Sequence, residues 1–313
     1  AADSCVISVR QLDSSRTPWS KIRATNSETV RSQYHSLRHP VRLQNSQRLR
    51  RHAESPITVA FRAQTSRPQW AGRGPESVLC ARISPNLAEL TGLTEEFGEH
   101  FYFISIFGVP SPDAQWGWQL DGHHCNINCF VLGDQMVLTP MLLGPEPVLA
   151  ESGMYAGTTV LREEEAEGWA FMNALTSEQR IAATIGYDLP FDGYASGFKD
   201  NIVVAYDGLP ASAMTQAQRG QFVDFIALYT GRLPPGHAQL RLEEVIRHLP
   251  ETIFAWIGQF DLLSPLYCRI YNPVIFVEFY HQPGVALPNI GYSRQHAHAL
   301  VRTPNATTTA ARC

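Results

Sequence analysis

Four histidines and one glutamate stand in stretches that are otherwise apolar. His123 and His124 are adjacent within W-G-W-Q-L-D-G-H-H-C-N-I-N-C-F-V-L (116–132). His296 and His298 form an H-x-H pair near the C-terminus, and Glu278 interrupts P-V-I-F-V-E-F (273–279). Desolvating an imidazole or a carboxylate is costly unless a cation or a hydrogen-bond partner awaits it, so apolar strands seldom carry such groups. Imidazole and carboxylate are also the ligand types of zinc, iron(II), manganese and copper. His123, His124, His296, His298 and Glu278 are therefore candidate ligands of a divalent metal ion, with Glu278 as ligand or general base.

Strand geometry limits how these residues can meet. His296 and His298 point to the same face, roughly 7 Å apart along the strand. On a regular strand His123 and His124 point to opposite faces, so only one faces a given pocket unless an irregularity re-aims the chain. Gly122 supplies a place for one. Arg302 shares the parity of His296 and His298, and Arg269 lies in the strand-like run 266–271. Either arginine can pair with Glu278 as a buried ion pair, or hold a substrate carboxylate or phosphate. Glu278, Arg302 and Arg269 are thus the candidate catalytic residues. Asn126, Asn128, Trp116 and Trp118 continue the parity of His124 and are candidate contacts for a small-molecule substrate. His281, just beyond the Glu278 run, is expected in a solvated loop. The competing reading is that buried histidines merely satisfy backbone carbonyls.

The elements that must position these groups follow from apolar periodicity. Residues 101–107, 116–132 and 135–140 read as strands, the last two joined at Gly133-Asp134. A helix bent at Pro85 precedes them. Helices are expected over 161–175, 176–185, 215–229 and 240–248, with a Gly- and Asp-rich loop at 186–201. Strands return at 252–257, 266–271, 273–280 and 296–302. This strand–helix–strand order argues for an α+β fold. Its mostly antiparallel sheet is built from both ends of the chain, with a helical middle packed on it. No phosphate-binding glycine loop, G-x-S-x-G elbow or H-E-x-x-H motif occurs.

The 313 residues carry a formal charge of −4, unevenly spread: residues 1–75 hold 13 Lys+Arg against 4 Asp+Glu. Segment 14–52 shows no sustained apolar period and is expected to be disordered. Its arginines are not interleaved with aromatics, which argues against nucleic acid as a partner. No apolar run reaches 18 residues, so no membrane span is expected. No signal peptide is visible, and a cytoplasmic location follows as the expectation. Cys125 and Cys129 would lie about 13 Å apart along one strand, too far for a disulfide. The expected organisation is a basic segment 1–75 followed by one domain, 76–313.

Several blocks resemble the family catalogued as domain of unknown function 3500. They are F-G-V-P-S (107–111), W-G-W-Q-L-D-G-H-H (116–124), L-T-P-M-L-L-G-P-E-P (138–147), F-A-W-I-G (254–258), Y-C-R-I-Y-N-P-V-I-F-V-E-F (267–279) and H-A-H-A-L-V-R-T-P-N (296–305). The resemblance covers residues 76–305 and implies one intact domain rather than a particular reaction. It marks His123, His124, Glu278, His296 and His298 as matching motif positions. The resemblance also implies a different ending, G-N-D-Y-G and two leucines, where this chain has A-T-T-T-A-A-R-C. A one-base frameshift near Asn305 is compatible with both readings, so a truncated or misread tail is expected.

The leading expectation is a metal-dependent enzyme acting on a small organic molecule, hydrolytic with zinc and oxidative with iron or copper. The alternatives are a non-catalytic small-molecule-binding protein and a non-functional truncated copy.

Overall fold

A computed structural model describes residues 57–60, 76–94, 96–98, 101–196, 199, 203–233, 235–287 and 291–304. The expectations for segment 14–52 and for the tail after Asn305 fall outside these residues. The strands are β1 (Ile57–Ala60), β2 (Phe103–Phe107), β3 (Gln115–Gly122), β4 (Cys125–Leu132), β5 (Gln135–Leu143), β6 (Thr184–Gly186), β7 (Leu209–Pro210), β8 (Ile253–Gly258), β9 (Leu266–Tyr271), β10 (Phe276–Pro283) and β11 (Tyr292–Arg302). The helices are α1 (Glu76–Thr91), α2 (Arg162–Ala174), α3 (Ser177–Ala183), α4 (Gln216–Thr230) and α5 (Pro235–Arg247). No helix among the described residues is long and apolar enough to cross a membrane.

The eleven strands among the described residues form one sheet, ordered β1-β2-β3-β4-β5-β11-β10-β9-β8-β6, with β7 on β8. Every pairing is antiparallel except β6 with β8. The two halves of the sheet join where β5 pairs with β11, Leu143 opposite Ala299 and Met141 opposite Val301. The fold is therefore α+β with a sheet drawn from both ends of the chain and the main helices from its middle. β1 lies inside the basic N-terminal segment and pairs with β2.

The run 116–132 is not one strand. Gly122 pairs with Cys125, so His123 and His124 form the two-residue turn of a hairpin between β3 and β4. Each arm alternates by itself, but the shared face moves from the even positions Trp116, Trp118 and Leu120 to the odd positions Cys125, Ile127 and Cys129, the one-residue phase change that a two-residue turn imposes. The turn also reverses the parity argument. Trp118 lies opposite Cys129 and Leu120 opposite Ile127, whereas Gln119 and Asp121 lie opposite Asn128 and Asn126. Trp116 and Trp118 therefore stand on the opposite face from Asn126 and Asn128, and Trp118 packs on the core. His281 is a buried residue of β10 and not a loop residue.

The two faces of the sheet are covered differently. One face carries Cys125, Leu143, Ala299, Phe279, Cys268 and Trp256, all buried against the helices. Phe171 of α2 stacks on Phe222 of α4 at 4.9 Å and meets Phe254 of β8 edge-on at 4.9 Å, while Trp169 meets Trp256 at 4.8 Å. Helices α3 and α4 begin with capping boxes at Thr176/Gln179 and Thr215/Gln218. The two glutamines hydrogen-bond to each other, which locks the helix starts together.

The opposite face carries Tyr267, Arg269, Tyr271, Glu278, Tyr280, His298 and Arg302. It is covered by a strap made from the described residues of 187–207. Tyr206 stacks on Tyr271 at 4.2 Å, Ala195 and Val204 pack with Tyr271 and Leu300, and polar contacts reach Glu278 and Tyr280.

Because Phe171 is fully buried at the helix–sheet contact, Phe171→Ala is expected to cost about 3–5 kcal/mol of stability. Denaturant unfolding checks this; a loss below about 1 kcal/mol would mean this contact does not organise the core.

Candidate metal centre

The register of β4, β5 and β11 assembles the site. Cys125 pairs with Leu143, and Leu143 pairs with Ala299. One step further along, His124, Gly144 and His298 therefore lie side by side, and the Gly144 N–H donates to the His124 carbonyl at 2.7 Å. Two strand spacings, about 10 Å, separate the outer two backbones. Their side chains meet because Gly144 has none: a Cβ there would lie 2.3 Å from His298 Cδ2 and 2.8 Å from the Ala297 carbonyl oxygen.

His124 adopts φ 55°, a left-handed conformation that non-glycine residues rarely take. This turn geometry swings its ring over the sheet toward β11. Its neighbour His123 is not aimed the same way. The His123 ring lies 4.0 Å from that of His124 and 4.7 Å from that of Phe97, while its carbonyl accepts a 2.6 Å bond from Tyr102 Oη. Tyr102 in turn lies against Gly122, where a Cβ would sit 2.1 Å from the Tyr102 ring.

His296 enters from an irregular stretch of β11, where the register with β10 shifts after His281. Its Nδ1 lies 2.7 Å from the Pro283 carbonyl, which can only accept, so Nδ1 carries the proton and Nε2 presents a lone pair. That Nε2 lies 3.2 Å from His124 Nε2. His298 completes the group: its ring centroid is 4.9 Å from that of His124 and 4.8 Å from that of His296. Neither ring nitrogen of His298 has a hydrogen-bond partner among the described residues, although both are buried.

One nitrogen from each of His124, His296 and His298 lies within 4.8 Å of the other two. Ligand nitrogens at about 2.0–2.1 Å from a zinc ion sit about 3–4 Å apart, so these three histidines can hold one metal ion. Burial lowers the pKa of His124 and His298 well below the ordinary histidine value, and the neighbouring rings lower both further. Burial, with His296 nearby, lowers His123 to about 4. The rings are thus neutral near pH 7, the form that binds metal.

The cluster opens on a cavity of about 160 Å³. Its walls include Leu142, Phe191, Val285 and Ala286, with Asn126, Gln282 and Glu146 as polar groups. Glu146 is buried and did not stand out in the sequence. Its carboxylate accepts from the backbone N–H groups of Val285, Ala286 and Leu287 at 3.0, 3.2 and 3.1 Å, and Oε2 lies 3.9 Å from His296 Nδ1. The signal available was the block L-L-G-P-E-P, where a glycine and an acid directly follow an apolar strand.

The structure separates the other candidates from this cluster. Glu278 is fully buried and accepts from Tyr194 N at 2.6 Å, Ala195 N at 2.8 Å and Tyr267 Oη at 2.7 Å. Burial raises its pKa, opposed by those three bonds and by nearby Arg269. Arg269 is the cross-strand neighbour of Glu278, yet it forms its ion pair with Asp207 and donates to the Ala205 carbonyl at 3.1 Å. Arg302 Nε donates to the Ala195 carbonyl at 2.7 Å. All three fasten the strap and contribute no atom to the histidine cluster.

Asn126 lines the cavity. Asn128 lies behind it, donating to Asn126 Oδ1 at 2.7 Å, and Asn126 donates to Asp121. Trp116 and Trp118 lie on the other face. His281 accepts from Leu266 N at 2.9 Å through Nδ1, and its Nε2 lies 3.2 Å from Glu165 of α2.

The family described as protein of unknown function (DUF3500) matches residues 49–307, and the chain belongs to it. No curated protein and no solved structure matches the chain.

Two outcomes follow from this geometry. Gly144→Ala should push the His298 ring out of the cluster and destabilise the fold by about 1–3 kcal/mol, as overpacked sites do; an unchanged His298 ring resonance and unfolding midpoint would contradict the packing. The second concerns pH. As pH falls, the unfolded chain protonates His123 first, near 6.5. The folded chain resists until about 4. The metal-free protein should therefore lose stability progressively as pH falls through that window. His123→Phe should lessen the loss without abolishing it, because His124 and His298 are also held below the ordinary value, as read by unfolding at each pH.

Proposed function

We propose that this member of the DUF3500 family is a metal-dependent enzyme acting on a small organic molecule at the cluster of His124, His296 and His298. The observation that carries the reading is the convergence of three neutral imidazole nitrogens within 4.8 Å in a largely buried cavity. Three protein ligands with a free coordination position is the pattern of catalytic rather than structural zinc sites. A zinc ion held there by His124, His296 and His298 would supply hydrolytic chemistry, whereas iron or copper would supply oxidative chemistry.

The chain's own residues then do the rest. A cavity of about 160 Å³ is close to the size that takes a benzene-sized molecule. Leu142, Phe191, Val285 and Ala286 exclude water from such a ligand, while the Asn126 and Gln282 amides can orient its polar groups. Gln282 is itself held by its bond to Asp192 at 3.1 Å, so that wall is set by the strap. Those apolar walls also favour a second reading, a binding protein whose histidines only donate hydrogen bonds. That reading requires no metal.

Metal content separates the two. Protein purified without a polyhistidine tag should carry about one transition-metal ion per chain by inductively coupled plasma mass spectrometry. His298→Ala and His124→Ala should lose it, and His123→Phe should keep it. Unchanged metal content in His298→Ala would overturn the assignment.

A further inference from the structure

We propose that Glu146 is a positioning residue of this centre: its three backbone hydrogen bonds fix the segment whose Pro283 carbonyl orients His296, and its charge acts on that ring from 3.9 Å. The proposal rests on the metal reading above and adds a role for a residue outside the histidine cluster.

The argument starts from where the two nitrogens of His296 point. Nε2 faces His124 and the shared metal position. Nδ1 faces away, toward the Pro283 carbonyl at 2.7 Å and Glu146 Oε2 at 3.9 Å. Glu146 therefore stands behind a ligand and acts through it. The Pro283 carbonyl accepts from Nδ1 and so sets the tautomer, while the carboxylate charge behind the ring makes the free Nε2 lone pair a stronger donor.

Glu146 is also fixed with unusual completeness. It is 1 % exposed, and three successive backbone N–H groups, from Val285 to Leu287, donate to its two oxygens. A buried carboxylate satisfied in this way has little freedom to move, because leaving its donors would strand four polar groups. The same segment places Val285 and Ala286 on the cavity wall. Glu146 thereby joins three parts of the molecule: the loop after β5, the segment after β10 and the ligand on β11. A carboxylate needed only for folding had no reason to lie beside a ligand imidazole and line the same cavity.

The test uses the full chain, stripped of metal with a chelator and titrated with zinc against a competing indicator. A second titration with cobalt(II) follows visible absorption. Glu146→Gln should weaken metal affinity about 10–100-fold and shift the cobalt bands, since the charge behind one ligand is gone. Glu146→Asp keeps the charge but withdraws it by one methylene, and should weaken affinity less than Gln yet measurably. It carries the test if the Gln variant does not fold. Glu164→Gln serves as the control for destabilisation alone: it removes the buried partner of Arg232 in the helical layer and should leave metal affinity unchanged. Wild-type affinity and spectrum in both Glu146 variants would overturn the positioning role while leaving the metal centre standing. A wild-type protein that binds neither ion would remove both.

Discussion

The lateral alignment of His124, Gly144 and His298 across three neighbouring strands is the constraint on which the site depends. Two imidazoles borne two strands apart cannot meet over a residue that has a side chain. The alignment is set by β5, which pairs with β4 on one side and β11 on the other. β5 is thus both the seam between the two halves of the sheet and the spacer of the histidine cluster. A register slip of one residue at either pairing would move a histidine to the helix-covered face, because side chains alternate along a strand.

Each face of the sheet has one task. The face toward the helices is aromatic and aliphatic, and it supplies the burial that stabilises the domain. The other face carries charges and hydroxyls, and the strap answers them nearly group by group. Glu278 is the clearest case: two backbone N–H groups and one tyrosine hydroxyl meet its carboxylate. Asp192 accepts from Tyr280 and Gln282, and Arg269 pairs with Asp207. A buried acid in an apolar strand signals that a partner exists, and the partners of Glu278 among the described residues are two strap N–H groups and the Tyr267 hydroxyl. The strap also brings Phe191 to the cavity, so the polar face positions the site from outside it.

The histidine cluster shows the opposing costs that functional sites carry. His124 holds a left-handed backbone at a cost of about 1–2 kcal/mol. His298 buries both ring nitrogens without a hydrogen-bond partner among the described residues, a desolvation cost of the order of 1–3 kcal/mol. Neither feature stabilises the metal-free fold. Both have a physical purpose if a cation accepts the lone pairs, which is why their coincidence at one cavity carries more weight than either alone.

The sequence by itself determined the fold class, because strand and helix periods and capping residues such as Thr176 and Thr215 are local properties. It also singled out His124, His296 and His298, because imidazoles in apolar runs are conspicuous wherever the chain goes. It assigned His123 and His124 to one strand, since both flanking segments alternate and only the phase changes between them, and the parity drawn for Trp116 and Trp118 failed with that phase change. It took Glu278, Arg269 and Arg302 for site residues, since burial of a charge is legible in sequence and its partner is not. Only the tertiary structure could pair Glu278 with residues more than 80 positions away, turn His124 rather than His123 into the cluster, and set Gly144 and Glu146 beside it. Those decisions rest on strand register and loop packing, which arise between segments distant in the chain and leave no periodic trace within either one.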